Sequence, residues 1–440
     1  MKKYIFIVIV ILSFESLLAQ NIHTGFHSQA FILKSSSNAS AFPESNIILG
    51  FPALSNLNLG FQSPFSLNEV LKKGADDSLR VNFPSLVKHL KTGRGIYMQA
   101  REQLFFVGLK LGSNKSIFAY MGDEIISSSG FVLSGEFLDY LTQGNAHFLN
   151  QQMNFNSEKF ESILYNSFYF GASFKPLDKL TLGTRFKILH GLVNVNTEVI
   201  NLSVYTDSLS IPVYLTNIDA NVMIRTSGQG IARDSLSFDP LLNNGFAFDF
   251  GITYDATDKL EISLAINDIG KINWAKENNL NYATDGQVDY VIDGLVMSSS
   301  GNNDFENQIE EIVDSISNIF SLSETSSDYS TKLKSNLFFG AKYELNEQNS
   351  FSFLFHSRNQ ISSRFNLISL GYQLQASKSL ELLASYQNLN GVSNIATGFV
   401  LSPGSVQMHL IIDNTLAADV FDAKNFAFQF GITFGFGKPK

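Results

Sequence analysis

The stretch Phe426-Ala427-Phe428-Gln429-Phe430-Gly431-Ile432-Thr433-Phe434-Gly435-Phe436 alternates a large apolar residue with a small or polar one almost to the end of the chain. A period of two marks a strand whose two faces meet different surroundings. An earlier copy, Phe246-Ala247-Phe248-Asp249-Phe250-Gly251-Ile252-Thr253-Tyr254, repeats nearly the same letters and sets an Asp on the small-residue face. Aromatics opposite Asp, Gln, Gly and Thr are what lipid outside and a polar lumen inside require. The pattern predicts an all-β fold, an antiparallel transmembrane β-barrel.

Composition agrees. Charged residues are 16% of the chain, aromatics are 13%, and Phe alone fills 40 positions, whereas soluble domains carry about a quarter charged residues. The formal charge of -9, with no basic cluster, argues against a nucleic-acid partner. Met1-Lys2-Lys3, the apolar run Tyr4 to Phe14 and Leu17-Leu18-Ala19-Gln20 read as a signal peptide over 1–20. That run is too short to span a bilayer as a helix, which takes about 20 apolar residues. No Cys occurs, which closes the lipoprotein route and leaves outer loops without disulfides. Export without a helical span points to the outer membrane, with lipid and the barrel-insertion machinery as partners.

A hairpin grammar follows. Gly171-x-x-Phe174, Gly251-x-x-Tyr254, Gly340-x-x-Tyr343 and Gly371-Tyr372 each end near a short polar turn, such as Asp255-Ala256-Thr257-Asp258-Lys259. Short turns alternating with longer connections match the two ends of an outer-membrane barrel. We expect about 14 strands, within roughly 12 to 16. Early ones are read near 94–111, 115–122, 164–175, 179–190, 195–206 and 213–226, and later ones run from 245–254 to 424–436. Residues 94–440 form the barrel, with long outer loops near 123–162 and 270–333. In the second loop, Phe305, Ile309, Ile312, Val313, Ile316, Ile319 and Phe320 recur at helical spacing. Residues 21–93, broken by Pro52 and several Asn, read as a plug or a periplasmic segment.

If the greasy face meets lipid, the other face supplies the lumen: Arg185, Lys187, Asp249, Glu261, Asn267, Lys342, His356, Arg358, Glu381 and Gln429. A charge facing lipid near the midplane costs about 2–4 kcal/mol, so these side chains belong inside. Mixed signs favour a stiffening ion-pair network over a selective path. No Ser-His-acid spacing, zinc motif or phosphate loop occurs, so the chain reads as a non-enzyme without cofactor or metal. His23 and His27, four apart, read as incidental. Trp274, the single Trp, reads as a girdle or loop residue, and Tyr120, Tyr254 and Tyr343 as girdle residues.

Asn46-Ile47-Ile48-Leu49-Gly50-Phe51-Pro52-Ala53-Leu54-Ser55-Asn56, Gly144-Asn145 with Phe148, and Leu180 to Gly191 resemble the pattern of a family of Gram-negative outer-membrane proteins of unknown function. The resemblance covers nearly the whole mature chain. More distantly the chain is similar to the outer-membrane fatty-acid transport proteins, 14-stranded barrels with an N-terminal plug. That resemblance implies passive transport, or a channel, for small hydrophobic or amphipathic molecules. The alternative is a barrel of envelope or secretion-system type that binds protein partners through its outer loops.

Overall fold

In the computed structural model the described residues are 23–73, 79–91, 95–112, 114–208, 216–228, 242–284, 288–292, 323–361, 363–415 and 422–437. The signal peptide over 1–20, the periodic segment Phe305 to Phe320 and the last three residues lie outside them. Among the described residues, no helix is long and apolar enough to cross a membrane.

Fourteen antiparallel strands close into a barrel. The wall begins with β1, in two pieces, Ile47–Gly50 and Leu57–Gln62. There follow β2 (Ile96–Leu111), β3 (Ile117–Val132), β4 (Lys159–Leu177), β5 (Leu180–Thr206), β6 (Asn244–Thr257) and β7 (Leu260–Trp274). The second half is β8 (Asn336–Glu344), β9 (Asn349–Asn359), β10 (Arg364–Ser377), β11 (Leu380–Leu389), β12 (Val392–Leu401), β13 (Val406–Asp413) and β14 (Asn425–Phe436). Closure comes from β1, which pairs with β14 (Ile47↔Phe436, Leu57↔Phe430) and with β2 (Ile47↔Leu109).

Residues 21–93 are therefore not one plug or one periplasmic piece. Residues 47–62 are wall, because Ile47, Leu49 and Phe51 turn outward and only the preceding residues enter the lumen. Residues 63–73 and 79–91 are not wall; their helices Leu67–Val70 and Phe83–Leu90 meet Gly135–Gln143 through Phe65, Val70, Val87, Leu90 and Leu138. The expected strand near 195–206 is the continuation of β5, which is 27 residues long. At about 3.3 Å per residue such a strand far exceeds the bilayer. Its distal part pairs with Thr216–Ser227, outside the wall. Likewise β3 reaches Val132, so 123–132 is strand rather than loop.

The outer face is apolar and the inner face polar. On β6, Phe246, Phe248, Phe250, Ile252 and Tyr254 are exposed while Asp249 is fully buried. Ile188, Leu264, Phe339, Phe351, Ile368 and Leu370 continue the band on other strands. A continuous apolar surface of this kind is what a lipid-facing barrel wall requires.

Candidate functional site

The lumen is filled from within by residues 23–46. A 3-10 turn, Thr24–His27, leads into the helix Phe31–Ser37. The Ser run ends that helix locally, since the hydroxyls of Ser35, Ser36 and Ser37 donate to the carbonyls of Ile32, Leu33 and Lys34. Phe31 packs among Phe106, Phe118 and Tyr120, with its ring centre 4.9 Å from that of Phe118.

Wall glycines make room for this segment. A side chain at Gly251 would strike Asn38 and Ser40, one at Gly183 would strike Ala39, one at Gly340 the Phe26 ring, and one at Gly371 the His27 ring. The repeated Gly-x-x-aromatic signature is thus partly a clearance device: the glycine faces the plug and the aromatic faces out. Gly171 clears the Tyr120 ring in the same way. Tyr120 accordingly points inward and is not a girdle residue, whereas Tyr254 and Tyr343 are exposed. Trp274 is buried too. It stacks on Tyr329, lies against Gly191, and donates from Nε1 to Thr331 Oγ1 at 3.0 Å.

Polar bonds attach plug to wall along its length. Thr24 Oγ1 donates to Asp413 Oδ1 (2.8 Å), Gln29 N donates to Glu381 Oε1 (3.0 Å), and Lys34 pairs with Glu261 (3.6 Å). Ser40 and Thr253 bond at 2.7 Å, and Ser173 donates to the Ala41 carbonyl at 2.9 Å. His27 sits between Ser352 (2.6 Å) and Ser369 (2.8 Å). His23 Nε2 lies 2.5 Å from His356 Nδ1. The tautomers follow from the neighbours. Asn336 Nδ2 donates to Asp268 Oδ2, so its Oδ1 accepts from His356 Nε2 at 3.0 Å. That leaves His356 Nδ1 as a lone pair for His23 to donate to. The two plug histidines are therefore built into the contact. Their neutral state matches their surroundings: burial, with Arg358 and His27 nearby, lowers His23 to about 3, and burial lowers His27 to about 3.

A charge cluster supports the plug. Arg185 Nε pairs with Asp249 (2.7 Å), Lys187 bridges Asp249 (2.9 Å) and Asp268 (2.5 Å), and Arg101 pairs with Glu124 (3.3 Å). Arg185 Nη2 also donates to the Ser35 carbonyl (2.9 Å) and Asn267 Nδ2 to the Ser37 carbonyl (2.9 Å). Arg185, Lys187, Asp249 and Asn267 are thus one constellation. The other sequence candidates are dispersed. Glu261, Lys342 and Glu381 lie toward the short-turn end, with Lys342 at 3.6 Å from Glu344. Gln429 donates to Asn56 (2.8 Å), and Arg358 Nη1 donates across the lumen to Gln99 Oε1 (2.6 Å).

Alternation alone misses Asp268, Arg101 and Glu124. A bulge between β6 and β7, where Phe248 faces Ile269 but Phe250 faces Ile266, gives Asp268 a φ of 63° and turns it inward beside Asn267. A second bulge after Gln103 reverses the parity of β2. Positive φ is tolerated by Asp, and that is the one trace Asp268 leaves in the sequence.

Above the plug, two adjoining cavities of about 40 and 70 Å3 share Arg101, Asp268 and Asn336. Both are far below the roughly 300–1,000 Å3 of a drug-sized ligand's pocket, so each has room for a few waters or a molecule of a few heavy atoms. Side chains also cross it, Arg358 reaching Gln99 and Lys334 pairing with Glu161.

What the wall and its filling define is a closed barrel, apolar outside and polar within, corked by its own N-terminal segment. The chain belongs to the Family of unknown function (DUF5723), whose model matches residues 40–413. No curated protein matches. Among solved structures the chain is similar to a Pseudomonas aeruginosa FadL homologue, at 8% identity and TM-score 0.45, covering 96% of this chain and 100% of that one. It is also similar to the Ralstonia pickettii toluene transporter TbuX, at 11% and 0.44, with 92% and 94% covered. The solute named for the second belongs to that protein.

Proposed function

We propose that this protein is an outer-membrane barrel that passes small amphipathic solutes and that residues 23–46 are its gate. It reaches the membrane through the barrel-insertion machinery. The observation that carries this reading is the plug-to-wall contact, in which hydrogen bonds and the Lys34–Glu261 pair run along the segment on either side of one apolar anchor, Phe31 to Leu33. Polar contacts exchange with water at modest net cost, about 0.5–1.5 kcal/mol each, so the polar stretches of the seam part more readily than the anchor at Phe31 to Leu33. Of the two solute kinds expected from the sequence, the amphipathic one fits a lining of Arg, Lys, Asp, Glu, Asn and Ser.

The test is conductance in planar bilayers, comparing the full chain with a variant lacking residues 23–42. Low conductance for the first and sustained conductance for the second is the expected result. Silence from both, with each barrel folded, would remove the transport reading. A second reading rests on the projecting part of β5 with Thr216–Ser227, a platform outside the wall where an envelope protein could dock. It predicts partners that co-purify with the full chain and are lost when that platform is trimmed.

A further inference from the structure

The larger cavity is unevenly charged. Its lining includes Arg101, Lys332, Lys334 and Arg358 against two carboxylates, Glu161 and Asp268. Both carboxylates are engaged, Glu161 by Lys334 and Asp268 by Lys187 and Asn336. Arg101 has Glu124. Arg358 has no carboxylate partner among the described residues. Its Nη1 donates to the neutral Gln99, and the guanidinium lies 4.9 Å from the centre of the Phe365 ring. Its Nε is buried and has no hydrogen-bond partner among the described residues. A guanidinium cannot shed its proton to escape burial, and a buried polar atom without a partner calls for a water or an ion. Water would satisfy the bond, and the nearby charge of Asp268, already shared with Lys187, offsets that of Arg358 only in part.

We propose that this cavity is a binding site for a small carboxylate-bearing solute, held at the Nε edge of Arg358. Gln99 occupies Nη1, on the side of the guanidinium away from Nε, so the free edge offers the paired donors that match a carboxylate. Ser128, Ser129 and Ser162 line the same space and supply hydroxyls, and Met98, Ile126 and Ile163 supply apolar surface for the solute's body. The site lies between the plug and the outer connections. This deepens the transport reading by naming the charge of the solute, and it rests on that reading only for its biological purpose.

The experiment is saturation-transfer NMR on the full chain in detergent micelles near neutral pH, with acetate and the uncharged acetamide as probes at fixed ionic strength. Acetate should bind about tenfold more tightly than acetamide, the worth of a charge-assisted bond, and Arg358→Gln should erase the difference. Gln99→Leu, which leaves the guanidinium in place, should keep it. If Arg358→Gln fails to show the heat-modifiable gel mobility of a folded barrel, Arg358→Lys replaces it and should reduce the preference, because a point charge lacks the fork. Equal binding of the two probes, or a preference that survives loss of the guanidinium, overturns the proposal. Displacement by inorganic phosphate below the concentration at which unlabelled acetate competes also overturns it, assigning the site to phosphate. No flux is involved, so failure here leaves the conductance test standing, and failure there leaves this one standing.

Discussion

The two halves of the lumen are filled in opposite ways. Toward the short turns, the plug presses against wall Gly, Ser and Thr beside Glu261, Lys342 and Glu381, and at Gly183, Gly251, Gly340 and Gly371 the seam is packed at backbone distance. Toward the long connections, the wall carries Arg, Lys, Glu and Gln, and these side chains reach across the space themselves. The first half is close-packed around the plug. The second keeps long, flexible side chains around small cavities. A gate belongs in the half where one segment makes many short contacts, and a selective site belongs where charged groups remain within reach of an entering solute.

The sharpest way to break this contrast is at the charge cluster on the cavity side of the plug. Asp249→Ala leaves Arg185 and Lys187 buried without their shared partner, and removing one member of a buried pair costs about 3–5 kcal/mol. The heat-modifiability midpoint should fall accordingly, and protease should gain access to residues 23–46. A midpoint near that of the unaltered protein would mean the cluster does not hold the plug.

Acid should loosen the same seam. His23 and His27 are held at about 3 when folded, below the ordinary 6.5, so the unplugged state takes up protons that the plugged state refuses. Their contribution is intact above 6.5 and is lost as the pH falls toward 3. At about pH 5 the loss is about 2 kcal/mol per histidine. Hydrogen-exchange protection factors at residues 23–42, which divide out the slower intrinsic exchange in acid, should fall on acidification, with less change at β11 and β12. Uniform exchange across both would sink the idea.

A steric variant separates the halves further. In Gly251→Val the new side chain meets Asn38 and Ser40, and overpacking costs about 1–3 kcal/mol. The plug should yield while the wall stays folded. The smallest effect is expected in the upper half: Lys334→Ala removes a partly exposed pair with Glu161, worth about 0.2–1 kcal/mol. A loss there as large as at Asp249 would erase the distinction.

Several residues were legible without coordinates because the β-barrel has one rule, alternation, and long runs obey it. Phe246, Phe248 and Phe250 out with Asp249 in follows from that rule alone, as does Arg185 with Lys187. Legibility stops where a bulge resets the count, at Leu104 and again at Asp268. It also stops at aromatics. Trp274 and Tyr120 read as interfacial by type, yet Tyr120 fills space left by Gly171 on the next strand and Trp274 space left by Gly191 two strands away, and sequence distance hides both pairings. The plug contacts are hidden most deeply. His23 and His356 stand 333 residues apart, and no local pattern marks two histidines as neighbours.

The sequence by itself determined the wall, because a period of two, aromatics on one side and scarce charge leave few surroundings other than lipid. It also determined which side each residue of a regular strand takes, since the pleat leaves no choice. Only the tertiary structure decided where plug ends and wall begins, that Ile47 to Gln62 completes the circle, and which buried charges find partners. Those outcomes depend on closure, which brings the first strand against the last and sets residues from opposite walls within hydrogen-bonding reach.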